Sequence, residues 1–315
     1  MLVPVPQSKS EVKQLLESQQ YVIRRDFSQN TLIAYSKDIW HYLSFVQKQQ
    51  KTYTTDQIHE RYLKELSEKY AFATFSRKLV AINCYFELQG IEGLFLAQHI
   101  HEAKAHIKRN RFMMQSKAKV FTKAHLKSVL DKLNDPKVKN TLVSIRNKNL
   151  LLLGYTAALR MSELLALRVQ DIHFVKDAAI IHIRKSKSNQ YGKLDERVLP
   201  VSTNTPYCPV LALRSLLATL PKTGNPYLFY ALNTNDTYKM KQPLSSSGCQ
   251  LIIKKLLGKE YSTHSLRRSF VSIAKKYGAM DSEIQAQTKH ASVKMIQEYT
   301  SLSVHEHNAV TKVLL

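Results

Sequence analysis

Eight glycines and nine prolines are all that this chain of 315 residues has for tight turns, and a many-stranded β fold needs far more. What such a chain builds readily is helix. The apolar residues agree: within SQNTLIAYSKDIWHYLSFV, Leu32, Tyr35, Ile39, Leu43 and Val46 recur at three- and four-residue steps, behind Ser28 and Asn30 as candidate N-caps. A second stripe runs Leu79, Ile82, Phe86, and KTYTTDQIHERYLKELSEKY supplies a helix between the two. Near the other end, Leu266, Phe270, Ile273 and Tyr277 form a stripe that Gly278 ends. One segment departs from the helical period. AAIIHIR (178–184) is short, apolar and β-branched, and RVLPV (197–201) follows a polar turn containing Asn189 and Gly192, which predicts a small β-hairpin. There is no internal repeat and no long low-complexity tract. The expected fold class is therefore mainly α, with one small β-hairpin or sheet.

The length allows two domains, each able to bury its own core. The net charge of +23 is unevenly spread: +2 over residues 1–100, +10 over 101–150 and +11 over 151–315. No apolar run approaches the roughly 18 residues that span a bilayer, and MLVPVPQSKSEVKQ lacks a basic flank before an apolar stretch, so the expectation is a cytoplasmic protein without a membrane partner. Cys84, Cys208 and Cys249 are scattered and odd in number, which suits buried free thiols rather than a disulfide frame or zinc site.

In AKAHIKRNRFMMQSKAKVF, Lys104, Lys108, Arg109, Arg111, Lys117 and Lys119 are opposed only by Glu102, and no clean helical apolar stripe is visible. The segment reads as a basic linker between a helical domain of residues 1–105 and a second domain of residues 119–315, the linker itself being 106–118. It is either a solvated tether or a strand of cations laid along an anionic polymer, where each neutralised phosphate releases a condensed counterion.

Four further segments carry chemistry. In GYTAALRMSELLAL, Arg160 stands before a helix whose first turn holds Glu163, placing a guanidinium beside unpaired backbone N–H groups that suit a phosphate; equally, it is an ordinary surface arginine with a first-turn acid. In IHIRKSKSNQYGK, Lys187 lies where the hairpin turns, among Arg184, Lys185 and Lys193, able to deliver an ammonium to one oxygen or to do no more than solubilise a turn; Lys185 is its rival. In YSTHSLRRSF, His264 and Arg267 share a helix face behind Ser262 or Thr263 as cap. In KHASVKMIQEYTSL, His290 precedes Ser292, the expected cap of a short helix, and Tyr299 follows nine residues later, one of sixteen tyrosines.

Taken together, Arg160 with Glu163, Lys187, His264 with Arg267, His290 and Tyr299 resemble the tyrosine recombinase family, the phage-integrase type of site-specific recombinase. Flanking text is similar too: ALRMSELLAL, HSLRRSF, EYTSL, and NTLIAYSKDIWHYLSF in the part that resembles the family's SAM-like core-binding domain. The resemblance covers nearly the whole chain, residues 202–260 and the hairpin least. It implies a two-domain clamp, a helical core-binding domain followed by a catalytic domain with a C-terminal tail. The chain departs from the family at two places, Lys289 and Ala158, where the family usually or often has glycine; neither is a catalytic group, and both bear on local backbone geometry.

The resemblance implies site-specific strand exchange on double-stranded DNA through a covalent 3′-phosphotyrosine, catalysed by Arg160, Lys187, His264, Arg267, His290 and Tyr299 with Glu163 in support. Tyr299 would attack the phosphodiester, and Arg160 and Arg267, charged at any working pH, would hold the charge that builds on the non-bridging oxygens. His290 would donate to the phosphate, His264 would accept the phenol proton and Lys187 would protonate the departing 5′-oxygen. No metal, ATP or other cofactor is called for, because the phosphotyrosine keeps the energy of the ester it replaces. The tail SLSVHEHNAVTKVLL, with Val310, Val313, Leu314 and Leu315, would dock on a neighbour in a homotetrameric synapse. A related phosphotyrosine topoisomerase and a catalytically inactive DNA-binding accessory protein are the alternatives.

Overall fold

The computed structural model describes residues 6–19, 27–50, 52–91, 93–110, 118–184, 195–220, 222 and 226–289, without the side chains of 240–242. The chain divides into two compact units, Met1–Ser116 and Lys117–Leu315.

The first unit is built of five helices: α1 (Lys9–Ser18), α2 (Gln29–Gln49), α3 (Thr55–Lys69), α4 (Phe72–Glu87) and α5 (Ala97–Asn110). Ser28 caps α2, its hydroxyl accepting from Thr31 N at 3.2 Å. Leu32 and Ile39 of the α2 stripe are fully buried against Val12 and Leu16 of α1 and Ala81 and Tyr85 of α4. Further along, Tyr42 meets Tyr62, Leu66, Phe75 and Phe95 in an aromatic core, and its hydroxyl is 2.9 Å from His59 Nε2. Asp38, buried where α2 crosses α4, is held by Lys78 at 3.3 Å and by Arg77.

Helix α5 corrects the linker reading. Ala103 and Ile107 are buried in the aromatic core with Ile100 packed beside them, so residues up to Asn110 belong to the folded unit. The stripe escaped the sequence because only three apolar side chains carry it among histidines and lysines. Lys108 and Arg109 therefore project from a helix, exposed, with Lys104 half-buried. Arg111 and Lys117 lie outside the described residues.

The second unit has α6 (Lys123–Leu133), α7 (Leu142–Thr156), α8 (Met161–Ala166), β1 (Ile172–Val175), β2 (Ala178–Ile183), β3 (Asp195–Pro200), α9 (Pro209–Thr219), β4 (Tyr230–Leu232), β5 (Tyr238–Pro243), α10 (Ser246–Leu257), α11 (Thr263–Lys276) and α12 (Asp281–Thr288). Helix α7 is the axis of the unit, with Leu150, Leu151, Leu152 and Leu153 all buried because α6, α8, α9 and α11 surround it. At Gly154 a Cβ would stand 2.5 Å from Leu266 Cδ1, so a side chain there would have to displace the buried Leu266 where α7 packs on α11.

The expected hairpin is β2–β3, antiparallel, with Ala179 opposite Leu199 and Ile181 opposite Arg197. Two strand features were not foreseen: β1 adds a third strand to the hairpin, and β4–β5 forms a second small sheet. All three cysteines are buried thiols outside any disulfide. Tyr277 corrects the α11 stripe: it is 70% exposed beyond the helix, with Lys123 Nζ 5.4 Å from its ring centre, while the buried face carries Ser265, Arg267 and Ser269. Among the described residues, no helix is long and apolar enough to cross a membrane.

Candidate active site

The connection from α7 to α8 and the first turn of α11 lie side by side. Thr263 Oγ1 reaches Met161 Sδ at 3.5 Å, and Gln250 of α10 fixes the entry to α11, accepting from Thr263 N and donating to Tyr261 O, each at 3.2 Å. The close α7–α11 contact at Gly154 and Leu266 sets the depth of the next residue in α11, Arg267.

Arg267 is 1% exposed, and its guanidinium bridges two carbonyls, Nη1 to Ala158 O at 2.8 Å and Nη2 to Thr288 O at 2.6 Å. Arg160 is the residue just before α8. Its backbone N–H donates to Glu163 Oε2 at 2.9 Å and its Nη1 to Glu163 Oε1 at 2.6 Å. Glu163, 2% exposed, thus holds both the helix start and the guanidinium. Arg160 Nη2 reaches Lys289 O at 3.4 Å, and its side chain stays 21% exposed. His264 opens to solvent one turn from Arg267. Its imidazole is held below the ordinary value, first by desolvation and then by the Arg267 and Arg160 guanidiniums. Three of the predicted site residues from two distant segments are therefore gathered, with Glu163 supporting one of them.

Both departures from the family pattern fall in this frame. Ala158 has φ 49° and Lys289 φ 50°, the left-handed region that favours glycine. Each contributes a carbonyl to an arginine, Ala158 to Arg267 and Lys289 to Arg160. A left-handed backbone is thus held at both positions by residues with a side chain, under strain. For Ala158→Gly the strain relieved, about 1–2 kcal/mol, is offset by roughly 0.8 kcal/mol of lost methyl burial and about 0.4–1 kcal/mol of added freedom in the unfolded chain, so stability should barely move. Ala158→Val should instead cost about 3 kcal/mol, since a β-branched side chain is forced into that region at a fully buried position. Urea unfolding of both variants checks the contrast.

The depressed His264 makes a pH prediction. A histidine with folded pKa below its unfolded value costs nothing when both forms are neutral; as pH falls below about 6.5 the unfolded chain takes the proton first, and stability drops until the folded imidazole is protonated as well. Stability should therefore fall with acidification from about pH 6.5, and His264→Gln should remove part of that slope in chemical denaturation at stepped pH.

Among the other predicted residues, Lys119 is engaged within the second unit, 3.2 Å from Glu260 and 5.5 Å from the Tyr261 ring centre. Lys104, Lys108 and Arg109 sit on α5, and Arg109 shares a groove with Glu60, Glu68 and Glu102. Arg184 is pinned at the base of the hairpin by Asp171, Nε to Oδ1 at 2.5 Å. Lys187, its rival Lys185, His290 and Tyr299 lie outside the described residues.

Sequence reasoning missed a basic groove of about 600 Å³ in the first unit, where Lys9, Lys37, Lys48 and Lys69 meet around Trp40, with Glu65 the opposing acid. A linear charge count of this third hides it. The signal was there in Lys37, His41, Ser44 and Lys48, spaced for one face of α2.

The chain is similar to known proteins. The Phage integrase family profile matches residues 119–306, and the profile for the phage integrase N-terminal SAM-like domain matches residues 18–89. The chain is 28% identical over 312 residues to tyrosine recombinase XerC of Rickettsia typhi, covering 92% of each. It is 26% identical over 261 residues to an integrase/recombinase XerD homolog of Selenomonas ruminantium, covering 80% of this chain and 75% of that one. Among solved structures it resembles XerH recombinase bound to a palindromic difH substrate, with TM-score 0.65 at 16% identity over 98% of this chain and 85% of that one. The Tn1549 transposon integrase in complex with circular intermediate DNA gives TM-score 0.64 at 16% identity, over 96% and 99%.

Proposed function

The chain belongs to the phage integrase family of tyrosine recombinases, and from that premise we propose that it cleaves and rejoins specific double-stranded DNA sites through a covalent 3′-phosphotyrosine. The observation that carries the reading is the convergence of Arg160, His264 and Arg267 on one place from the starts of α8 and α11.

In this reading Tyr299 Oη attacks the phosphorus of a DNA phosphodiester, forming the Tyr–P bond as the bond from phosphorus to the 5′-oxygen breaks. The phenol proton passes to His264, whose depressed pKa leaves it an acceptor at neutral pH. The 5′-oxygen takes a proton from Lys187. Charge building on the non-bridging oxygens meets Arg160 and Arg267, fixed in advance by carboxylate and carbonyl partners so that no reorganisation is needed at the moment of reaction. His290 donates a further hydrogen bond. A 5′-hydroxyl from a second duplex reverses the step and completes exchange, without ATP or a metal. The reading extends to a homotetrameric synapse in which the tail after Tyr299 docks in trans, and to domains divided as 1–105, 106–118 and 119–315, the middle segment modified by α5.

A nicked suicide substrate tests the chemistry: a protein–DNA adduct is expected, and DNA-bound protein that forms none would sink the reading. Incubation with two marked duplexes then separates exchange from simple relaxation. DNA affinity should also be strongly salt-dependent. Neutralising Lys104, Lys108, Arg109 and Arg111 should weaken binding across sequences and flatten the slope of log K against log salt by about one unit for each phosphate no longer neutralised. An unchanged slope would reassign that charge, with the Lys37–Lys48 face of α2 the next surface to test.

A further inference from the structure

Lys289 occupies a position that needs only a glycine's backbone, yet it brings a side chain. Its left-handed backbone closes α12, its N–H donating to Gln285 O at 2.7 Å, and turns its carbonyl to Arg160. Its ammonium lies 3.8 Å from Asp195 Oδ1 in the first residue of β3. Asp195 is itself fixed, because Arg197 Nη1 donates to the same oxygen at 2.6 Å and Arg197 is 1% exposed. Arg197 is a costly anchor: its Nε and Nη2 are buried with no hydrogen-bond partner among the described residues, where Asp195 supplies its charge compensation. Asp195 pairs with Ile183 across the hairpin. The residues joining β2 to β3 include Lys187, and the residue after Lys289 is His290.

One residue thus connects Arg160, through its carbonyl, with the base of the hairpin, through its ammonium. A glycine supplies only the first link. We propose that Lys289 is a positioning residue that ties the base of the β2–β3 hairpin, at Asp195, to the arginine frame of the site, at Arg160. This rests on the recombinase reading above. The tether acts on the rate of cleavage of bound DNA rather than on binding, and it stiffens β3 whether or not DNA is cleaved.

The test uses the full chain with Lys289→Gly, which keeps the left-handed backbone and removes the tether, and Lys289→Arg, which keeps the charge. With a nicked suicide substrate at saturating DNA, Lys289→Gly should form adduct about tenfold more slowly, the order expected when a catalytic group is displaced by a fraction of an ångström. Its DNA affinity should stay within about twofold and its Tm should not fall, while Lys289→Arg should recover most of the rate. Backbone amides of Asp195–Leu199 should exchange faster in Lys289→Gly than in the unaltered protein, as loss of a local restraint requires. An unchanged adduct rate in Lys289→Gly would overturn the proposal, as would a loss that more DNA restores, since that would make Lys289 a phosphate contact. Unchanged exchange in β3 would overturn it too. That arm needs no catalysis, so a protein that forms no adduct at all would refute the recombinase reading and still leave the tether to be judged by exchange.

Discussion

Tyr299→Phe should bind DNA as the unaltered protein does and form no covalent adduct on a nicked substrate, a loss of about a thousandfold or more, because phenylalanine has no oxygen with which to attack phosphorus. The specificity of the effect is the informative part, since the chain has sixteen tyrosines. Burial argues against several of the described ones. Tyr42 and Tyr62 are pushed well above the ordinary phenol value by desolvation, and Tyr155 to about 12, so their phenolates are harder to form than that of a free side chain. Tyr277 is the opposite case, 70% exposed with a lysine over its ring, and on accessibility alone it is a competitor. Tyr277→Phe should leave adduct formation within about twofold, in keeping with an exposed surface substitution. Adduct persisting in Tyr299→Phe and vanishing in Tyr277→Phe would move the nucleophile to the end of α11.

Arg267→Ala should lose cleavage by about a hundred- to a thousandfold, the order seen when a fixed donor to a developing oxyanion is removed. It should also destabilise the second unit by about 2–4 kcal/mol, because the carbonyls of Ala158 and Thr288 lose a charged, buried donor. The motif alone implies only the loss of chemistry; burial adds the structural cost. For a unit of this size the shift in Tm is about 5–15 °C, so the cleavage assay belongs well below the variant's transition. Arg160→Ala is the control. Its side chain is partly exposed and Glu163 still accepts from the backbone N–H of residue 160, so the same chemical loss should come with a smaller change in Tm. Equal thermal stability of Arg267→Ala and the unaltered protein would show that the two carbonyls are satisfied without the guanidinium.

The parts of the fold that were legible are those where local pattern and burial coincide. Leu32 and Ile39 announced α2 and are its buried contacts; the β-branched run at Ile180–Ile183 announced β2. The parts that were not legible had weak local signals. Helix α5 rests on Ile100, Ala103 and Ile107 among polar neighbours, and β1 has four residues whose pairing with β2 is what makes them a strand. The strands β4 and β5, of three and six residues, fall in the stretch with the least family-like text. Tyr277 continues the period of α11 but lies past its last helical residue, exposed with only the Lys123 ammonium over its ring among the described residues.

The candidate site divides the same way. The order of Arg160, Glu163, His264 and Arg267, their placement at helix starts, and the family they point to are properties of the sequence, because capping and i to i+3 spacing act within one turn. That Arg267 is buried and spans the carbonyls of Ala158 and Thr288 is decided by tertiary structure, through the approach of α7 and α11 at Gly154 and the left-handed turn at Ala158. The four lysines around Trp40 meet because α1, α2 and α3 pack together, which a charge count along the chain does not register. Lys289 needed both: the sequence marked it as a departure, and only the folded chain, by bringing α12 against the first residue of β3, gave its ammonium a carboxylate to hold.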